Sequence, residues 1–326
     1  MNTLRTLARV GVAASLLAAA TVYAQSAPFP NNPVTITTAF AAGSGPDAVL
    51  RQVSDKLSKL WGQSVMVNNK PGGGGFIAIE SVVRAQPDGY NLLQLDSEHL
   101  AALPHLYKSK GFVTLQSFDP VAILFRTPFF VSVSSDSKWQ NMKDLLAAAK
   151  SQPGKVNFGS WGIGSPGHLG GEEIELLTNV EMNHIAFREV SQLYTQVGNG
   201  DVQWAFGTIP STQGVYKAGK LRYIAIAAAK RVPQMPDVPT VAESGGPALE
   251  VNSFVVLVAP KGIAPEVRDR IHADVQKVLA DPDIKARYNT FAFEALNWSP
   301  AEIVRQAELK GRTYGKLVQR KNISLE

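Results

Sequence analysis

Gly43-Ser44-Gly45-Pro46-Asp47 and Gly162-Ile163-Gly164-Ser165-Pro166-Gly167 are the residues whose types and spacing point most directly to chemistry in this chain. Each group follows an alternating, β-branched or aromatic run and opens onto an apolar-periodic segment, over 34–50 in one case and 156–177 in the other. Glycine leaves backbone N–H groups open to close approach by a ligand. Pro46 suits a first helical position and Asp47 a first helical turn, so the first loop is expected to become a helix N-terminus, where N–H groups and the helix dipole favour an anion. A second copy of the device in the second half of the chain predicts a cleft that grips one small anion from both sides.

Other chemistries fit these residues less well. Both loops match a dinucleotide pattern, G-x-G-x-x-A at 43–48 and G-x-G-x-x-G at 162–167. That reading also needs an acidic residue at the end of the next strand, roughly 20 residues on. Asn68-Asn69 stands there in the first half and Ala186-Phe187-Arg188 in the second, where arginine would suit a 2′-phosphate that an exported chain rarely meets. A carboxylate or other anion site ranks first, a purely structural turn second and a dinucleotide third, and no cofactor is expected. A nucleophile elbow needs G-x-S-x-G, but Ile163 stands two residues before Ser165 and Phe158 two before Ser160. His168, three residues after Ser165, shares its first helical turn and is badly placed as its base. His99, His105, His168, His184 and His272 show none of the paired spacings of a metal helix. Glu172, Glu173 and Glu175 read as a solvated helix face. Arg126 and Arg188 are able to take a second acidic group of a ligand in bidentate fashion, an ion pair being an equally good reading of each. Core packing is the default for any one aromatic; Phe40, Trp161, Phe187 and Phe254 together favour a ligand wall.

The elements that must position these groups follow from the order of the chain. Its 326 residues, 45% hydrophobic and 18% charged, suffice for two domains with full cores. Residues 1–24 read as a secretory signal peptide, with Arg5 and Arg9 ahead of an apolar run and Val22-Tyr23-Ala24 as the cleavage pattern. Losing those two arginines takes the net charge from +5 to +3. Without a Lys/Arg stripe interleaved with aromatics, nucleic acid is not an expected partner. Zero cysteine excludes a disulfide framework, a thiol nucleophile and a thiolate metal site. Strands expected over 34–39, 65–68 and 90–95 alternate with helices over 47–60 and 76–85, which indicates a mostly parallel sheet. A second set follows, with strands over 156–158, 182–187, 202–206 and 221–227. Two apolar crossings, 118–133 broken at Pro128 and 251–259, join the sets, a short helix is expected over 240–244, and helices from 265 to 318 close the chain. The fold class is α/β, two doubly wound domains joined by two crossover strands, with domain 1 over 28–125 plus 254–326 and domain 2 over 126–253.

FAAGSGPD at 40–47, NKPGGGG at 69–75, QPDGY at 86–90, PGKVNFGS at 153–160, KAGKLR at 217–222, PDVPTVAE at 236–243 and APKG at 259–262 add a further constraint. In this order they resemble the periplasmic solute-binding proteins of tripartite tricarboxylate transporters, also called Bug receptors, over nearly all of the mature chain. The resemblance implies a type II periplasmic-binding-protein fold that closes like a clamshell, a periplasmic location, membrane transporter subunits as partners and no enzymatic activity. It also implies one ligand carboxylate held by backbone N–H groups and ordered water over 40–45 and 160–165. The expected ligand-binding set is Phe40, Ala41, Ala42, Gly43, Ser44, Gly45, Asp47, Ser97, Ser160, Trp161, Gly162, Ile163, Gly164, Ser165, His168, Phe187, Arg188, Thr208 and Phe254. Ala41-Ala42, Pro46, Trp161, the segment HIAFRE at 184–189 and Gly207 depart from the usual pattern; the family usually has aspartate at the last of these. Losing that aspartate argues against an amino-acid ligand, and Trp161 with Arg188 fits an aromatic dicarboxylate such as terephthalate. Citrate or another aliphatic di- or tricarboxylate is the alternative, a secreted α/β hydrolase is the rival from another class, and a sensor passing the signal to a membrane kinase would use the same site.

Overall fold

β1 (Val34–Thr38) is the buried β-branched run ahead of the first loop. In the computed structural model, which describes residues 29–325, it lies parallel between β2 (Val65–Asn69) and β3 (Asn91–Asp96). The leader expected over 1–24 lies outside the described residues. α1 (Gly45–Trp61) starts where the local chemistry says it should: the Ser44 side chain accepts the Asp47 N–H, Pro46 sits in the first turn, and Gly62 ends the helix at φ 64. Gly72 to Gly75 all have positive φ. A Cβ on Gly75 would lie 2.2 Å from the His99 ring, so that glycine is what lets α2 (Phe76–Val82) and α3 (Ser97–Ala101) approach. α4 (Leu103–Leu106) and α5 (Thr114–Ser117) follow as single turns.

The expected crossing at 118–133 divides between two sheets at its proline. β4 (Phe118–Pro128) belongs to the first sheet and β5 (Phe130–Ser134) to the second. After α6 (Met142–Ser151) come β6 (Asn157–Ser160), α7 (Pro166–Thr178), β7 (Asn183–Ala186), α8 (Val190–Asn199), β8 (Trp204–Gly207), α9 (Ile209–Lys217) and β9 (Leu221–Ile226). β10 (Asn252–Pro260) then returns to the first sheet. The strand orders are β2-β1-β3-β10-β4 and β7-β6-β8-β5-β9, which are one pattern used twice. In each sheet the loop-bearing strand, β1 or β6, has parallel partners on both sides. A single strand delivered by a crossing, β10 or β5, is antiparallel to both of its neighbours. The helix expected over 240–244 is replaced by turns. Thr240 and Glu243 close a reciprocal cap, with the Thr240 N–H on the Glu243 carboxylate and the Glu243 N–H on Thr240 Oγ1, but Gly245 at φ 85 ends it after one turn.

α10 (Pro265–Leu279), α11 (Pro282–Phe291) and α12 (Pro300–Lys321) complete the chain, and α12 touches both halves. Near its middle, Tyr314 donates to the buried Glu98 carboxylate at 2.7 Å and Lys310 approaches it at 3.3 Å. Ser253 of β10 donates to the same carboxylate at 2.5 Å and Ser97 at 3.0 Å. Its last turns, Leu317 and Val318, pack with Ala101, Ala102 and Leu106 of the first half and with Leu169 of α7. Lys321 then pairs with Glu172 of α7 at 3.0 Å and with Glu175.

Candidate functional site

The first loop leaves β1 at Thr38, exposes Ala41, Ala42 and Gly43, and enters α1. Its shape is pinned from inside. Phe40 N–H donates to Thr38 Oγ1 at 3.1 Å, Ser44 N–H to the Ala41 carbonyl at 3.2 Å, and Gly43, at φ 78, to Asp47 Oδ2 at 2.8 Å. The Asp47 carboxylate is only 2% exposed and also accepts Asn69 Nδ2 at 2.7 Å and Arg51 Nε at 3.0 Å. Burial alone would raise this acid; the bonds from Asn69, Arg51 and Gly43 outweigh it and hold it below its ordinary value. Asp47, expected among the ligand contacts, is thus turned onto the loop itself. The N–H groups of Ala41 and Ala42 donate to no other described residue.

The second loop repeats this device in a different register from the one the glycine motif gives. Gly164, at φ 82, donates its N–H to His168 Nδ1 at 3.1 Å, and Ser165 N–H reaches the Gly162 carbonyl at 3.2 Å. Ser165 Oγ caps α7 by accepting the His168 N–H at 3.4 Å, as Ser44 accepts that of Asp47. Gly43, Ser44 and Asp47 therefore correspond to Gly164, Ser165 and His168, not to a pairing of Gly43 with Gly162. Gly162 takes another job, donating to Ser160 Oγ at 3.2 Å. The N–H groups of Trp161 and Ile163 donate to no other described residue, so each loop presents two such amides beside a helix N-terminus.

Each loop also faces residues of the other half. A Cβ on Gly45 would lie 2.9 Å from Pro210 Cγ, and one on Gly164 would lie 2.4 Å from Leu106 Cδ1. Trp161, half-buried, tilts on Phe129 at 5.4 Å and meets Tyr194 edge-on at 6.4 Å. Phe40 is edge-on to His99 at 6.1 Å, and Phe187 packs beside the cluster around Phe130 and Leu193. Arg188 is exposed and makes no ion pair among the described residues. Thr208 caps α9, its hydroxyl accepting the Ser211 N–H at 3.3 Å. At Gly207 a Cβ would lie 2.5 Å from Thr212 Cγ2 and 3.0 Å from Ser132 Oγ, so this packing has no room for a side chain there.

Other expected residues are placed elsewhere. Ser97 is fully buried between Glu98 and Ser253. Phe254, 1% exposed, is in the first sheet's core against Trp298 at 5.3 Å. Both Nε and Nη2 of Arg126 are on Glu294 Oε2, at 2.8 and 2.6 Å, which is the ion-pair reading of that residue. His168 is 4% exposed, enclosed by its own loop and stacked 4.0 Å from His184. Sequence reasoning missed Asn69, which holds Asp47 and also donates to the Phe40 carbonyl at 3.1 Å. Its signals were its place at the end of β2, beside β1, and at the head of the NKPGGGG motif. Missed too was the pairing of Glu172 and Glu175 with Lys321, since the spacing of three glutamates describes a helix and not what packs on it.

His184 lies under the second loop, with Nε2 2.7 Å from Ser160 Oγ. Burial, and then the neighbouring His168, pull it down to about 3, with Glu172 opposing. The unfolded chain takes a proton near 6.5, so this contribution to stability is fully present above that pH and is lost as pH falls toward 3. The unfolding midpoint is expected to fall by several degrees between pH 7 and pH 4, and His184→Gln to flatten that fall. Equal pH dependence of both proteins in thermal melts would remove His184 from the acid response.

Comparison with known proteins places this geometry. Residues 49–323 match the tripartite tricarboxylate transporter family receptor. A UPF0065 protein of Bordetella bronchiseptica is 31% identical over 308 residues, 94% of this chain and 91% of that protein. The periplasmic binding protein BugD is 28% identical with a TM-score of 0.80, covering 91% of this chain and 99% of that one. A protein of R. palustris solved with adipate is 26% identical with a TM-score of 0.84, over 91% and 99%. These structures carry the mixed α/β periplasmic-binding-protein fold that the sequence led us to expect. With a match running from within α1 to beyond α12, the chain belongs to the tripartite tricarboxylate transporter receptor family, whose members are solute-binding proteins and not enzymes.

Proposed function

We propose that this protein is an exported periplasmic receptor that captures a small dicarboxylate between its two halves and delivers it to membrane transporter subunits. The observation that carries the reading is the pair of pinned loops, each with two amides that donate to no other described residue, from Ala41 and Ala42 on one side and Trp161 and Ile163 on the other. Closure over 28–125 plus 254–326 and 126–253 would bring both loops to one ligand, whose contacts then favour the closed state. Residues 1–24 would be removed on export. Trp161, Phe187 and Phe40 supply flat apolar surface and Arg188 a guanidinium with no ion pair among the described residues, which favours an aromatic dicarboxylate such as terephthalate. The relative solved with adipate lends support to a ligand with carboxylates at opposite ends. It equally motivates the second reading, an aliphatic dicarboxylate.

The test is a thermal melt of the mature protein with terephthalate, phthalate, benzoate, adipate, citrate, aspartate and NADP. A ligand at 100 times its dissociation constant stabilises by about 2.7 kcal/mol, a shift of several degrees. A terephthalate shift well above that of benzoate is the expected result. A shift with adipate or citrate alone moves the assignment to the second reading. No shift with any acid, or one with NADP alone, returns the loops to structural turns or a dinucleotide site.

A further inference from the structure

We infer that His168 is a positioning residue of the receptor: its neutral Nδ1 fixes the second loop just as the Asp47 carboxylate fixes the first. The inference rests on the reading of both loops as carboxylate cradles, but its basis is the internal repeat. In each loop a glycine in the left-handed region, Gly43 at φ 78 or Gly164 at φ 82, sends its N–H to the side chain four residues on. In each, the serine after that glycine caps the helix by accepting the N–H of that same residue. The two acceptors differ in kind. Asp47 carries a charge balanced by Arg51, while His168 can accept at Nδ1 only as the tautomer with its proton on Nε2, which is directed at Glu172 Oε1 3.5 Å away.

Further contacts secure that tautomer. Glu172 is held down to about 2: burial would raise it, but His168 and Lys321 outweigh the burial. Lys321, from the end of α12, also pairs with Glu175, so the carboxylate facing His168 is anchored by a helix that touches both halves. On its other face the ring stacks on His184, which is bonded to Ser160 at the loop's start. Ser160, Gly164 and α12 thus meet at two imidazoles. The second loop's glycine N–H is held by an imidazole nitrogen, whereas that of the first is held by a buried carboxylate.

Two substitutions separate this role from mere packing, because both remove the ring and its stacking on His184. In His168→Asn the side-chain oxygen occupies the place of Nδ1 and still accepts the Gly164 N–H. In His168→Gln the amide occupies the place of Nε2 and does not. Without ligand, hydrogen exchange in a peptide covering residues 161–165 is expected to be about tenfold faster in His168→Gln than in wild type and within about threefold of wild type in His168→Asn. Affinity for whichever acid stabilises the wild type should follow the same order. Unchanged exchange in His168→Gln, or equal acceleration in both variants, overturns the positioning role. Failure of the wild type to bind any acid overturns the carboxylate reading alone, since the exchange comparison needs no ligand.

Discussion

Asp47→Ala is expected to cost about 2–4 kcal/mol of stability and, at neutral pH, to weaken carboxylate binding by about a hundredfold. The truncation leaves three donors facing an empty place: the Gly43 N–H, Asn69 Nδ2 and Arg51 Nε. Arg51 is half-exposed and can turn to water, but the Gly43 N–H and Asn69 Nδ2 are turned onto the partly buried side of the loop, where a donor stripped of its acceptor costs more than the bond contributed. Binding suffers further because Ala41 and Ala42 present their amides only while Gly43 holds its positive φ; if the competent loop falls to about one per cent of the population, affinity falls about a hundredfold. The pH dependence has a definite sign. Asp47 is held below its ordinary value near 3.8, so its contribution is present above that pH and is lost as pH falls through the lower folded value. Melts of wild type and variant should therefore be well separated at pH 7 and converge toward pH 3. A separation that persists undiminished at pH 3 would mean the loss is one of packing and not of the carboxylate.

The first loop was legible because its determinants are local. A serine N-cap, a proline in the first turn and a glycine C-cap, spread over 44–62, state where α1 begins and ends whatever surrounds it. The correspondence between the loops was not legible, because two glycines flank Ile163 and only backbone angles and acceptors reveal that Gly164, not Gly162, plays the part of Gly43. Long-range partners were hidden for a different reason. Arg126 meets Glu294, 168 positions away, and Lys321 meets Glu175, 146 positions away; no window on the sequence contains both members. Phe254 illustrates a third limit. Alternation along a strand says that neighbouring side chains point to opposite faces, but not that this one faces Trp298 in the core.

Gly164→Val is expected to abolish binding and also to destabilise the fold by about 2–6 kcal/mol, whereas Gly45→Val should weaken closure, and with it affinity, with little loss of stability. The glycines look alike in sequence, and on that basis both would be expected to spare the fold. At Gly164 a β-branched residue must adopt φ 82, a strain of about 1–3 kcal/mol. Its Cβ would also stand 2.4 Å from Leu106 Cδ1, and Leu106 is 1% exposed among Ala101, Ala102 and Leu317, so making room disturbs a packed cluster at a further cost of about 1–3 kcal/mol. A midpoint drop of roughly ten degrees follows. Gly45 has no positive φ, and the nearest atom to its Cβ is Pro210 Cγ at 2.9 Å, across from the first loop at the start of α9. Moving the halves apart removes that collision without opening either core, and only Phe293, 3.2 Å away, has to give by a few tenths of an ångström. The collision therefore acts as a bias of about 2 kcal/mol toward the open state, lowering affinity roughly thirtyfold while the midpoint stays within a few degrees. Paired melts and titrations of the two variants decide the matter. Undiminished affinity in Gly45→Val would mean that the loop and Pro210 need not meet for binding, and an unchanged midpoint in Gly164→Val would mean that the second loop does not rest on Leu106.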